Sequence, residues 1–514
     1  MKIPTVVLFA LLVVVSIPSF AVAEKTAVRV SAGIDWHKGD VDAAFKFAKQ
    51  RKKPLFLYWG AVWCPPCNQV KATVFNRHEF IEHSRFFVPV HLDGDSPNAQ
   101  KIGARFKVRG YPTMILFNPD GTEITRLPGE VDSERYLQVL KLGMSASHSV
   151  KDTLRNALAD GAALSADQWR LLAYYSWETD EQQLLGVGEL PRTLQRLAAI
   201  CPQADTAARL GLLALAAASS AKENVPPIDR AAAMELLSRV LADAHMSRDN
   251  MDVLANYAGE IVKLVAEPKS EARARLGSAW MLALQRLADD KTLSKADRIA
   301  AIDSEVALAR LDTPDGPLAP ELLQEVRRRV AEADRSTTDP YERQSVISNA
   351  GHALSAAGLL DESDALLKAE LKRSHSPYYF MLSLADNARM RGATTEALSW
   401  YEKAYDAAKG PATRIQWGST YLRGLLELAP DGEVRIEKAA GSIIREIGGT
   451  KNAFYERNRS ALEKLGKKLV LWNANGQHEA VFQRIRKQLN GVCSSLPAKD
   501  PQRSVCQEVL VAGL

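Results

Sequence analysis

The sequence predicts an α/β head followed by a large all-α region of repeat-like helices. Three observations carry that reading. The apolar and aromatic run Pro54 to Trp59 is bounded by basic residues and Gly60 and leads into Cys64-Pro65-Pro66-Cys67, the pattern of a buried strand running into a helix. After Gly143 the strand-like runs stop, and Ala, Leu, Arg and Glu dominate. Further on, Gly358 and Gly392, Glu362 and Glu396, and Pro377 and Pro411 each recur at a spacing of 34 residues, a period typical of stacked helical hairpins.

Taken in order, the chain opens with a basic Lys2, an apolar stretch from Val6 to Val15 and the small-residue site Ala21-Val22-Ala23. These predict a secretory signal over residues 1–23, cleaved near Ala23/Glu24, and hence a periplasmic or otherwise exported protein. The apolar core is too short for a membrane span and no cysteine follows that could take a lipid, so an integral membrane protein is not expected. A formal charge of +5, from 66 basic and 61 acidic residues spread along all 514 positions, implies no nucleic-acid surface. Five cysteines are too few for a disulfide scaffold of this length.

The head, residues 24–144, holds the chemistry. Val70, Val74 and Phe75 recur at helical spacing after the cysteines, with Asn68, Gln69, Lys71 and Asn76 between them, so a helix begins near Cys64 with Pro66 in its first turn. A cysteine at a helix N-terminus has its thiolate favoured by the dipole and the unpaired backbone donors. Cys64 is therefore expected to be an exposed nucleophile, and Cys67, one turn on, the resolving thiol that closes the ring. The competing readings are a static disulfide and half a zinc site; zinc would need two further ligands, and no second C-x-x-C exists. No metal or cofactor is called for. His78, His83 and His91 read as surface histidines rather than copper ligands.

From about Trp36 to Gly143 these pieces resemble the thioredoxin-like family, particularly the periplasmic branch that includes the C-terminal domain of the membrane thiol reductase DsbD. The matching order is Trp36, a helix over Val41 to Lys52, the strand into Trp63-Cys64-Pro65-Pro66-Cys67, and a strand over Phe87 to Asp93. Gly110-Tyr111-Pro112-Thr113, a strand over Met114 to Asn118, the turn Pro119 to Thr122, a strand ending near Gly129 and a helix over Ser133 to Leu142 complete it. The resemblance implies a thioredoxin fold, a cis bond before Pro112, and a groove shaped by Trp63, Tyr111 and Pro112 that receives an extended substrate. Two positions depart from the family. Tyr58 stands where thioredoxin has its buried aspartate and Pro89 where it has its buried lysine, so the usual proton acceptor for the resolving cysteine is missing. Pro65 and Pro66 also lack N–H groups to donate to the Cys64 thiolate. Within the range of roughly −270 mV for thioredoxin to −120 mV for DsbA, that favours the reducing half.

The helical region divides at the punctuated run Thr313-Pro-Asp-Gly-Pro-Leu-Ala-Pro320, giving a helical domain over 145–312, a linker over 313–322 and a second helical domain over 323–514. In the first, Ser165-x-x-Gln168 reads as a capping box. Amphipathic segments are expected over Arg230 to Ala244, Asn250 to Val265, Glu271 to Leu287 and Lys295 to Leu311, and Ala207 to Ala218 as a core helix. In the second, Tyr341 to Pro411 resembles two degenerate tetratricopeptide repeats. Cys493 and Cys506 enclose a short loop with Pro497 and Pro501; a structural disulfide is expected, with a relay couple as the alternative. Cys201 reads as a buried inert thiol, and Trp169, Trp177, Trp400 and Trp417 as core.

Together these features predict an exported thiol-disulfide oxidoreductase acting on protein disulfides or thiols as a reductase or isomerase. The helical part would choose the client or dock an electron donor, for which the resemblance suggests a membrane protein of the DsbD type. The alternatives are an envelope interaction scaffold with an auxiliary redox head, and an oxidase, which a measured potential would distinguish.

Overall fold

Strand β1, Leu55–Gly60, is buried along its whole length, which explains why its sequence is apolar throughout rather than alternating. In a computed structural model it runs through the middle of a four-stranded sheet, flanked by β2, Val88–Asp93, and by β3, Thr113–Phe117, with β4, Glu123–Leu127, beyond β3. The structure describes residues 33–108, 110–129, 132–160, 164–180, 183–186, 188–222 and 225–510. The signal peptide expected over residues 1–23 lies outside them. β2 is parallel to β1, from Leu55 opposite Val88 to Gly60 opposite Asp93, and β3 is antiparallel, from Leu55 opposite Phe117 to Trp59 opposite Thr113.

Five helices cover the two faces: α1, Val41–Arg51; α2, Pro65–Val70; α3, His78–His83; α4, Ala99–Arg105; and α5, Ser133–Ser145. The period of two along β1 decides the layering. Leu55, Leu57 and Trp59 pack with Ala44 and Ala48 of α1 and Ala99 of α4, whereas Phe56 and Tyr58 join Cys67, Phe80 and Tyr136 from the opposite layer. Asp40 and Asp132 cap α1 and α5 by accepting from backbone amides in the first turn. After Val70, α2 widens into a π-type turn, Lys71–Phe75.

Everything beyond α5 is helical or loop among the described residues. The capping box at Ser165 and Gln168 forms, each side chain bonding the other's backbone N–H. The stretch expected as one helix over Asn250 to Val265 is instead two, Met251–Asn256 and Ala258–Val265, because Tyr257 leaves the helical backbone (φ −129°, ψ 12°). The repeat period corresponds to two helical hairpins, Pro340–Ala356 with Leu360–Glu370 and Pro377–Met390 with Thr394–Ala407. Gly358 and Gly392 end the first helix of each with φ of +81° and +72°, a backbone that an L side chain resists. Residues 313–319 are turn and loop, and Pro320 opens the helix Pro320–Ser336. No helix of the described residues is long and apolar enough to cross a membrane; Ala204–Ser220 buries Leu210, Leu212 and Leu215.

The described residues from Ile34 onward form one compact unit, and Arg126 of β4 is one reason. Its guanidinium, fully buried, donates to the carbonyls of Phe106 (2.6 Å) and Thr179 (3.0 Å) and to Gln183 Oε1 (2.8 Å), and is neutralised by Glu123 at 2.9 Å. The amide of Ser176 donates to the Arg126 carbonyl at 3.1 Å, so the helical region covers the sheet edge that β4 would otherwise expose. At the far end Cys493 and Cys506 are bonded, with Cα atoms 5.6 Å apart, inside a core containing Phe482, Ile485, Leu489 and Val509. Replacing both by serine is expected to destabilise the Glu479–Ser495 helix by about 3 kcal/mol; faster amide exchange confined to that helix is the check. Cys201 is half-buried with its thiol toward Gln203 Oε1 at 3.5 Å, and burial pushes its pKa up, away from the reactive range.

Candidate redox site

Cys64 is the residue immediately before α2, in extended backbone, and its sulfur lies 3.2 Å from the Cys67 amide N. Pro65 and Pro66 occupy the first two helical positions, so Cys67 supplies the first N–H that can reach the sulfur. The two cysteines are disulfide-bonded, with Cα atoms 5.2 Å apart. Fully buried Asn68 locks the turn by donating from Nδ2 to the Val62 carbonyl (2.8 Å) and the Cys64 carbonyl (2.9 Å). Because Trp59 pairs with Thr113, the residues just past that pair are Gly60 and Pro112, which brings the Tyr111–Pro112 bond beside the cysteine turn. That bond is cis, as the resemblance implies.

One expectation fails. Cys64 is not an exposed nucleophile: it is 2% accessible, and Trp63 is 7% accessible. The cover comes from the helical region. Trp63 Nε1 donates to Thr413 Oγ1 at 2.8 Å, and that hydroxyl donates on to Asp95 Oδ2 at 2.5 Å. Asp95 Oδ1 also accepts from the Thr413 backbone N–H at 2.8 Å. A carboxylate of the head thereby caps the helix Pro411–Leu428, which has no side-chain cap of its own. Gly410 makes the approach feasible: a Cβ there would lie 2.3 Å from the Asp95 carboxyl carbon, and its φ is +92°. Burial holds the Asp95 carboxyl above its ordinary value, and the two bonds from Thr413 partly offset this.

The rest of the cover is aromatic and polar. The Trp63 indole lies edge-to-face with Trp417, centroids 4.6 Å apart, and parallel to Tyr379 at 5.9 Å. Its carbonyl accepts from Gln344 Nε2 (3.3 Å), and the Val62 carbonyl lies 3.1 Å from His375 Nε2. Arg457 sits above both the Tyr111 ring (4.5 Å) and the Trp63 ring (5.7 Å). Tyr111 itself is packed against Trp59 at 4.6 Å and accepts from Gln100 Nε2 at 3.1 Å. Trp63, Tyr111 and the Pro112 bond are thus brought together with the cysteines, but beneath helices rather than around an open groove. Sequence reading missed Asp95, Gln344, His375, Tyr379, Thr413, Trp417 and Arg457 as parts of this site.

Comparison with known proteins places this geometry. The thioredoxin-like domain model matches residues 41–143. Thioredoxin H5 of Arabidopsis thaliana is 31% identical over 98 residues, which cover 19% of this chain and 78% of that protein. The chain belongs to the thioredoxin-like family. Its thioredoxin-like head is also 30% identical over 103 residues to the thiol:disulfide interchange protein DsbD of Pseudomonas fluorescens, covering 19% of this chain and 18% of that one. The disulfide bond reductase DsbH of Chlamydia pneumoniae is 24% identical over 119 residues, 20% of this chain and 68% of that protein. This chain therefore spans under a fifth of that DsbD. A solved DsbH oxidoreductase aligns with 24% of this chain and 94% of its own, at 21% identity and a TM-score of 0.21. On the family's pattern, Cys64 and Cys67 of the thioredoxin-like head are a two-electron dithiol pair.

Proposed function

We propose that this protein is an exported thiol-disulfide oxidoreductase that reduces or isomerises the disulfides of protein clients through Cys64 and Cys67. The observation that carries the reading is the position of Cys64, one residue ahead of α2 with the Cys67 N–H directed at its sulfur, an arrangement that favours the thiolate. In the reduced enzyme the Cys64 thiolate attacks a client disulfide, forming a mixed disulfide and expelling one client thiolate. The Cys67 thiol gives its proton to that thiolate and attacks the Cys64 sulfur, expelling the second. The client gains two electrons and the pair becomes the disulfide seen here.

The name of one bacterial relative, a disulfide bond reductase, supports the reductive direction, and that of the other, a thiol:disulfide interchange protein, supports exchange chemistry. The oxidised pair must then be re-reduced, for which a membrane electron donor of the DsbD type is the reading. Export rests on the Lys2, Val6 to Val15 and Ala21-Val22-Ala23 pattern. With the helical cover displaced, Trp63, Tyr111 and Pro112 form the client-facing wall, and the helical region, which covers that wall in the closed state, acts as the docking scaffold.

A Cys67→Ala variant is expected to leave clients covalently attached to Cys64 in cells, as bands that disappear on reduction and are absent from the Cys64→Ala/Cys67→Ala variant. If the two variants trap the same material, the assignment fails. The burial of Cys64 favours one competing reading, an interaction scaffold with an auxiliary head. Full complementation by the cysteine-less variant would establish that instead.

A further inference from the structure

Tyr58, on β1, brings its side chain to the neighbourhood of the disulfide, where its hydroxyl and the Cys67 sulfur both lie near Gly60. The ring is fixed on every side: stacked on His91 (centroids 4.9 Å, 21°), edge-on to Phe75 (5.0 Å) and tilted against Trp36 (6.1 Å). The residue is 1% accessible, yet its hydroxyl has no hydrogen-bond partner among the described residues. A hydroxyl buried without a partner is destabilising, so one this well held calls for an explanation.

Gly60 supplies the geometry. A Cβ on Gly60 would lie 2.7 Å from the Tyr58 hydroxyl oxygen and 3.2 Å from the Cys67 sulfur. Both atoms therefore lie close to the same bare α-carbon, and any side chain at position 60 would crowd the two of them. In the disulfide the Cys67 sulfur carries no charge and is a weak acceptor. Once the disulfide opens, the same sulfur becomes a thiol that must ionise to finish the exchange.

We propose that Tyr58 donates a hydrogen bond to the Cys67 thiolate during the resolving step, stabilising the ionised sulfur without taking its proton. The inference rests on the oxidoreductase reading above and deepens it. The phenol is held protonated, because burial and then the nearby Asp93 push its pKa up, so it cannot take the Cys67 proton. That proton passes to the departing client thiolate, while the hydroxyl stabilises the negative sulfur left behind. The charged and titratable neighbours are few. His91 is pushed down to about 4, by desolvation first and then by Lys71, and is neutral at pH 7. Tyr136 of α5 is held protonated by burial, and the Lys71 ammonium is pushed down by burial, with Asp93 acting in the opposite sense.

Tyr58→Phe keeps the ring and removes only the donor. The reduced protein is mixed with an aromatic disulfide whose thiolate is coloured, which gives two release phases: one from attack by Cys64, one from resolution by Cys67. The variant is expected to show an unchanged first phase. Its second phase should be about tenfold slower at neutral pH, with its pH profile displaced upward by about one unit. An unchanged second phase, or equal slowing of both, overturns the proposal. Absence of either phase in the unaltered protein would instead sink the oxidoreductase reading on which it rests.

Discussion

Serine at position 64 is expected to lower the rate of insulin reduction by about a thousandfold or more. The α2 N-terminus and the Cys67 amide can draw a thiol into its ionised range, but they cannot ionise an alcohol, so the attacking atom stays protonated and weakly nucleophilic. Serine is close in size to cysteine, and the ring it opens spans only residues 64 to 67, so the fold should survive; circular dichroism on the same samples checks this. Retention of more than about a tenth of the activity would mean that the reacting sulfur lies elsewhere. Serine at position 67 should behave differently, leaving the first attack intact and stalling with the client still attached.

The second large effect concerns access. Asp95→Ala removes both acceptors that hold the helix Pro411–Leu428 to the head, leaving the Thr413 amide and hydroxyl without that partner. Loss of a cap costs about 1 kcal/mol, and hydrogen bonds to a charged group about 1.5–3 kcal/mol. The uncovered state should therefore gain at least about tenfold in population. Labelling of reduced Cys64 by a bulky maleimide should accelerate correspondingly, while labelling by small iodoacetamide changes less. Asp95→Asn provides the contrast, since it keeps an acceptor and drops the charge. Because burial raises the carboxyl's pKa in the closed state, closure is strongest below the ordinary aspartate value. It weakens as pH rises through the raised one. At neutral pH the asparagine variant should stay as closed as the parent, or more so. Wild-type labelling rates in Asp95→Ala would refute this account of the cover.

The head was readable because its signals are local. The strand into Cys64 and the proline-opened helix depend on neighbours within a few positions, the order of the later strands came from the family resemblance, and the boundaries fall within a few residues of those expected. The repeat hairpins were readable for the same reason, since Gly358 and Gly392 report a backbone requirement at their own positions. What escaped was the burial of Cys64. The cover joins Trp63 to Thr413 and Val62 to His375, partners 350 and 313 residues apart, and nothing in the composition around Thr413 distinguishes a threonine bonded to the head from one facing water. Trp417 is core, as its spacing suggests, but the core it belongs to includes the lid over the disulfide. Gly410 was the one available hint: a glycine just before a helix-opening proline, with no capping side chain, leaves room for a cap from elsewhere.

The distance along the chain between Asp95 and Thr413, 318 residues, sets an order of events during biosynthesis. Domains complete themselves from the N-terminus as the ribosome proceeds, so the reactive pair is assembled long before its lid has been made. Until the later helices arrive, each nascent molecule carries an unguarded dithiol. A ribosome stalled before codon 411 would therefore yield a fragment more reactive toward passing disulfides than the finished protein.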